Sequence, residues 1–113
     1  MGYYSDVMVS TTREGYERIK ELAGDGMNGH EVKVCAADSV VFGWDGVKWY
    51  PYFDEVADVM WALHQAADEG IPWEYVEVGE DGRADWEVSE DDEYPNPGLK
   101  YHIEAQTNIA IWK

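Results

Sequence analysis

Apolar and polar positions alternate from Tyr4 to Ser10, with Val7 and Val9 on one side, and this predicts a strand. Thr11 followed by Glu14 has the form of a helix capping box, after which Tyr16, Ile19, Leu22 and Ala23 recur at helical spacing until Gly24. Residues 24–29, GDGMNG, are loop chemistry, and Val32, Val34 and Ala36 alternate again as a second strand. Around Asp45-Gly46 a two-residue type I′ turn predicts a hairpin that sets Trp44 against Val47 and Phe42 against Trp49, with all four on one face. From Phe53 to Glu69 a helix is expected: Phe53, Val56, Met60, Leu63 and Ala67 form a stripe, Asp54, Glu55 and Asp58 suit the N-terminal end of the dipole, and Gly70 follows as a stop. Trp73 to Val78 and Ala84 to Ser89 predict another hairpin. Gly82 at the left-handed position of a three-residue loop sets Val76 opposite Trp86, Val78 opposite Ala84, Tyr75 opposite Glu87 and Glu77 opposite Asp85. Leu99 to Trp112, with Tyr101, Ile103, Ile109 and Ile111, has the composition of one last long strand, bent or turned near Gln106 to Asn108.

The expected order is βαβββαβββ, which implies an α+β domain: an antiparallel sheet with two helices packed on one face, loosely ferredoxin-like. A chain of 113 residues leaves room for one such domain, 1–113. In the second hairpin, the register directs Val76, Val78, Trp86 and Val88 to the core. It leaves Glu77, Asp85, Glu87 and Asp91 on one solvent face.

Composition supports a folded chain, since six tryptophans and eight tyrosines supply large apolar surface. Charge narrows the partners. A net charge of −16 repels nucleic acid and anionic bilayers alike, so direct binding to either is not expected. No apolar run approaches the ~20 residues that span a bilayer, and MGYYSDV lacks a basic, then apolar, leader, so a cytoplasmic protein is expected. The charge is also uneven, with net −3 over residues 1–50 and net −13 over residues 51–113. Spread over roughly 6,000 Å² it gives only about one charge per 400 Å², against roughly one per 110 Å² on duplex DNA. Concentration on one hairpin and the loop after it brings the local density much closer.

Little else points to chemistry. The lone Cys35 reads as a small core hydrophobe without a disulfide or zinc partner. His30, His64 and His102 lie on a loop, a helix and a strand, with no ligand spacing. There is no nucleophile elbow, phosphate loop, dinucleotide fingerprint or paired-histidine zinc motif, and no calcium loop around Asp91, Asp92 and Glu93. Neither an enzyme nor a cofactor is expected. The remaining candidate is a partner-binding face made of Tyr75, Glu77, Asp85, Glu87, Glu90, Asp91, Asp92, Glu93 and Tyr94. Its carboxylates repeat every ~6.6 Å along a strand, and its tyrosines are anchors typical of protein interfaces.

The opening GYYSDV, residues 2–7, followed by a helix and an acidic, aromatic second half, resembles small accessory proteins of bacteriophages and prophages. The resemblance implies an accessory role in the host bacterium rather than a metabolic one, in particular inhibition of host defence of the anti-restriction or anti-CRISPR kind. It attaches no role to Tyr3, Tyr4, Ser5 or Asp6. The expected function is therefore inhibition of a basic, nucleic-acid-handling host protein, with nucleic-acid mimicry as one means. The alternative is a phage structural or assembly domain that acts as a homodimer or through strand edges.

Overall fold

The computed structural model describes residues 3–89, 95–96, 98–105 and 109–112. The first alternating segment is a strand, Ser5–Thr12 (β1), and Thr12 caps the helix that follows, Arg13–Ala23 (α1), by accepting the Gly15 N–H at 2.9 Å. The cap falls one residue beyond the expected Thr11 because the Thr11 hydroxyl donates to the Pro72 carbonyl at 2.9 Å. A 3-10 turn, Gly24–Met27, ends α1, and β2 (Glu31–Cys35), β3 (Ser39–Val47), α2 (Asp54–Asp68), β4 (Trp73–Gly79), β5 (Ala84–Val88), β6 (His102–Ala105) and β7 (Ile109–Trp112) follow.

Five strands form one sheet in the order β2-β3-β1-β4-β5, every neighbouring pair antiparallel. The first four strands and the two helices make the split βαβ arrangement of a ferredoxin-like sheet, and β5 extends it by one edge strand. Both helices lie on one face. There Ile19 and Ala23 of α1, with Val56, Val59, Ala62, Leu63 and Ala66 of α2, bury Val7, Val9, Val40, Phe42, Trp44, Trp73 and Tyr75. The opposite face carries a smaller core of Met8, Val41, Val76 and Val78, closed by Ile103 of the β6–β7 pair. Covering on both sides explains why Val40, Val41 and Phe42 are consecutive and all fully buried.

The α+β class and, among the described residues, seven strands and two α-helices agree with expectation. Four details do not. Asp45-Gly46 makes no hairpin turn: β3 runs through it, and the register against β1 shifts between Ser5 and Val7. Gly46, at φ +59°, instead forms a bulge whose N–H bonds to Asp6 Oδ1 at 2.8 Å. Trp49 still reaches the core, from the loop after β3, and packs its ring 4.7 Å from that of Trp44. The seventh strand comes from the C-terminal segment, where β6 and β7 pair antiparallel.

The second difference concerns the β4–β5 hairpin. Its register is the expected one at every pair, but its faces are not simply inside and outside. Tyr75 belongs to the main core, while Trp86 is 52% exposed, because the helices cover the Tyr75 side and the second layer stops short of the β5 edge. Third, α2 turns Val59, Ala62 and Ala66 fully inward, which leaves Met60 and Ala67 at the margin of its buried face. Fourth, Cys35 is exposed rather than buried, since β2 is the other edge of the sheet.

Candidate functional site

Where β5 extends the sheet past α2, a cleft of about 390 Å³ opens. It lies between Val56, Met60 and His64 of α2, the Trp49–Pro51 segment, Tyr75 and Glu77 of β4, and Asp85, Trp86 and Glu87 of β5. Strand alternation places Tyr75, Glu77, Asp85 and Glu87 on the same side of the sheet, as neighbours across the β4–β5 ladder. Among the described residues, three carboxylates and His64 therefore meet an otherwise apolar, aromatic lining that contains no lysine or arginine.

Hydrogen bonds fix the floor. Trp49 Nε1 donates to the Tyr75 hydroxyl at 2.7 Å, and that hydroxyl donates to Glu77 Oε1 at 2.8 Å. Burial, then the neighbouring Glu77 carboxylate, pushes the Tyr75 phenol far above its usual range, so it stays a donor. Glu77 is half-buried, and desolvation holds its carboxyl above the usual carboxylate range; the bond from Tyr75 opposes that shift and Asp85 across the ladder reinforces it. At the rim, His64 Nε2 lies 2.5 Å from Glu87 Oε2 and ties α2 to the edge strand.

Four of the nine residues expected to bind a partner thus gather here: Tyr75, Glu77, Asp85 and Glu87. Tyr75 does so as buried support rather than as an exposed anchor. Glu90, Asp91, Asp92, Glu93 and Tyr94 lie outside the described residues, as does the expectation that Asp91 shares the face. Sequence reasoning missed Trp49, Pro51, Met60 and His64. Met60 and His64 are four residues apart on one side of α2, which is a visible helical pairing, but nothing local shows that this side overlooks the acidic hairpin.

Other acidic residues are engaged in structure. Around a second recess of about 460 Å³ at the β4–β5 turn, Asp6 accepts the Gly46 N–H, Glu80 the Tyr4 N–H, and Asp81 both the Tyr3 hydroxyl and the Arg83 N–H. Glu74 is fully buried on the opposite sheet face, where it bonds to His102 Nδ1 at 2.8 Å and accepts from the Asn96 N–H at 2.5 Å. The three histidines lie apart, beside Tyr16, Glu87 and Glu74 respectively. Among the described residues no group of three or more histidines, cysteines and acids is placed to hold a metal. No helix there is long and apolar enough to cross a membrane.

Comparison of the chain with protein-family models, with curated proteins and with solved structures gives no match.

Proposed function

We propose that this is an acidic binding protein that docks on a basic, nucleic-acid-handling protein of a host bacterium and inhibits it by covering its basic surface. The observation that carries this reading is the cleft. Three carboxylates on one side of the β4–β5 hairpin border an apolar pocket whose lining, among the described residues, holds no lysine or arginine. Tyr52, which follows the lining Pro51 in the chain, is 77% exposed, and Trp86, whose position in the ladder faces the other side of the hairpin, is 52% exposed. Protein interfaces combine these features: large aromatic anchors, few lysines, and charge complementary to the partner. The net charge of −16 supplies long-range attraction to a basic surface and repels nucleic acid.

The test is capture from a bacterial lysate by the wild type and by a Glu77→Gln, Asp85→Asn, Glu87→Gln variant, at low and high salt, followed by DNA competition with whatever is retained. The expected result is a basic nucleic-acid-binding protein held by the wild type at low salt, lost with the variant or with salt, and released from DNA by the wild type. Capture unaffected by the three changes and by salt overturns the reading, as does a gel shift of plain duplex DNA. A dimeric mass in solution that persists in place of any such capture supports the assembly alternative.

A further inference from the structure

We infer that the cleft between α2 and the β4–β5 hairpin receives an arginine side chain of the partner, its stem against Val56, Met60 and Pro51 and its guanidinium between Glu77 and Asp85. This rests on the binding reading above and names what the site recognises.

The first argument is the shape of the lining. Arginine and lysine are apolar along the stem and charged at the tip, and the cleft has the complementary order: an apolar wall from α2 and Pro51, and carboxylates from the hairpin. At about 390 Å³ it has room for one long side chain with its hydration. A purely apolar guest would bury carboxylates without a partner, and a bare cation would leave the apolar wall unfilled.

The second argument is the carboxylate pair. Glu77 and Asp85 are direct cross-strand partners, and such positions place Cβ atoms ~4.5–5.5 Å apart. Like charges at that spacing repel each other. Here desolvation first, and then the repulsion, raise the proton affinity of Glu77, and no lysine or arginine among the described lining residues relieves them. Tyr75 holds Glu77 through Oε1, so this carboxylate is oriented before any guest arrives. A planar guanidinium presents donors in a fork that bonds two carboxylate oxygens at once, whereas an ammonium offers a point charge, which favours arginine over lysine. Among the described residues the titratable groups that line the cleft with Glu77 are Tyr75 of β4, Asp85 and Glu87 of β5 and His64 of α2; Glu87 and His64 are paired with each other at the rim.

The experiment is an NMR titration of the full chain with N-acetyl-arginine amide, N-acetyl-lysine amide and the neutral isostere N-acetyl-citrulline amide, reading the Trp49 indole N–H and the Met60 methyl. Arginine is expected to shift both signals saturably, lysine at least threefold more weakly, and citrulline not at all. Glu77→Gln with Asp85→Asn should weaken arginine at least tenfold with the Trp49 signal still dispersed, which reports an intact fold. The comparison of arginine with citrulline needs no variant and stands if the double variant does not fold. Equal shifts from arginine and citrulline, or unchanged binding by a folded double variant, overturn the inference. Absent shifts, with acid-dependent capture of a basic protein intact, overturn the arginine assignment and leave the proposed function standing; loss of that acid dependence overturns the proposed function itself.

Discussion

Glu74 and Glu77 sit three residues apart on β4 and so face opposite sides of the sheet, with opposite consequences. Glu74 has no exposed surface, and the Asn96 N–H, the Ile103 N–H and His102 Nδ1 all turn toward its carboxylate. Glu74→Ala takes away the acceptor of the buried Asn96 and Ile103 N–H groups and should lower stability by about 3 kcal/mol in urea unfolding, since each buried donor left unsatisfied costs about 1–3 kcal/mol. Glu77 behaves in the other direction. Its proton affinity is raised in the fold, so its stabilising contribution is complete below the ordinary carboxylate range and is lost as pH rises through the raised value. Glu77→Gln keeps an acceptor for the Tyr75 hydroxyl and is never charged. It should therefore stabilise the protein at neutral pH by a few tenths of a kcal/mol, a gain that disappears in urea midpoints measured in mild acid. Both residues look alike in the sequence, as members of one acidic run. The partners that bury Glu74 come from 22 to 29 residues downstream, beyond the reach of local alternation.

At the scale of elements, the Asp45-Gly46 bulge shows why pattern and structure part company. Asp-Gly supplies positive φ to a turn and to a bulge equally well. What decides is β1 lying alongside, with the Asp6 carboxylate placed to take the Gly46 N–H. The β4–β5 hairpin is the converse case. Its register was legible, because Gly82 at φ +83° fixes the turn and the turn fixes the pairing. Which side carries the main core was not, because that depends on where α2 and the β6–β7 pair come to rest. The carboxylate half of the candidate site was accordingly readable, and its apolar half on α2 was not. Two glycines of β3 test this view of the strand. At Gly46 a side chain meets open space, so Gly46→Ala should cost only the ~1–2 kcal/mol of a left-handed backbone. At Gly43 an added Cβ would lie 1.9 Å from the Val7 carbonyl oxygen, inside the central β1–β3 ladder. Gly43→Ala should thus destabilise well beyond Gly46→Ala in parallel urea titrations; equal losses would mean that the ladder gives way easily at that point.

For the whole molecule the governing quantities are a net charge of −16 and dimensions of 38 × 27 × 24 Å. At ~0.01 M salt the screening length is ~30 Å, so nearly every carboxylate feels every other; at ~0.15 M it is ~8 Å and only neighbours interact. Among the described residues the lysine and arginine ion pairs that salt would weaken lie at the surface, such as Arg18–Glu69 and Lys33–Asp45, and exposed pairs contribute little. Repulsion should therefore dominate the salt response of the fold. Raising salt across this range is expected to increase the thermal midpoint by about 3–6 °C, the shift that corresponds to roughly 1 kcal/mol in a chain of this size. The same change should weaken docking on a basic surface, chiefly through the association rate, because the charges that strain the folded chain are those that attract the partner. Opposite signs in one titration, with folding strengthened and binding weakened, would mark the charge as held against stability for the sake of recognition. A midpoint that falls with salt would show that attractive pairs outweigh the repulsion, and the acidic surface would then need no partner to account for it.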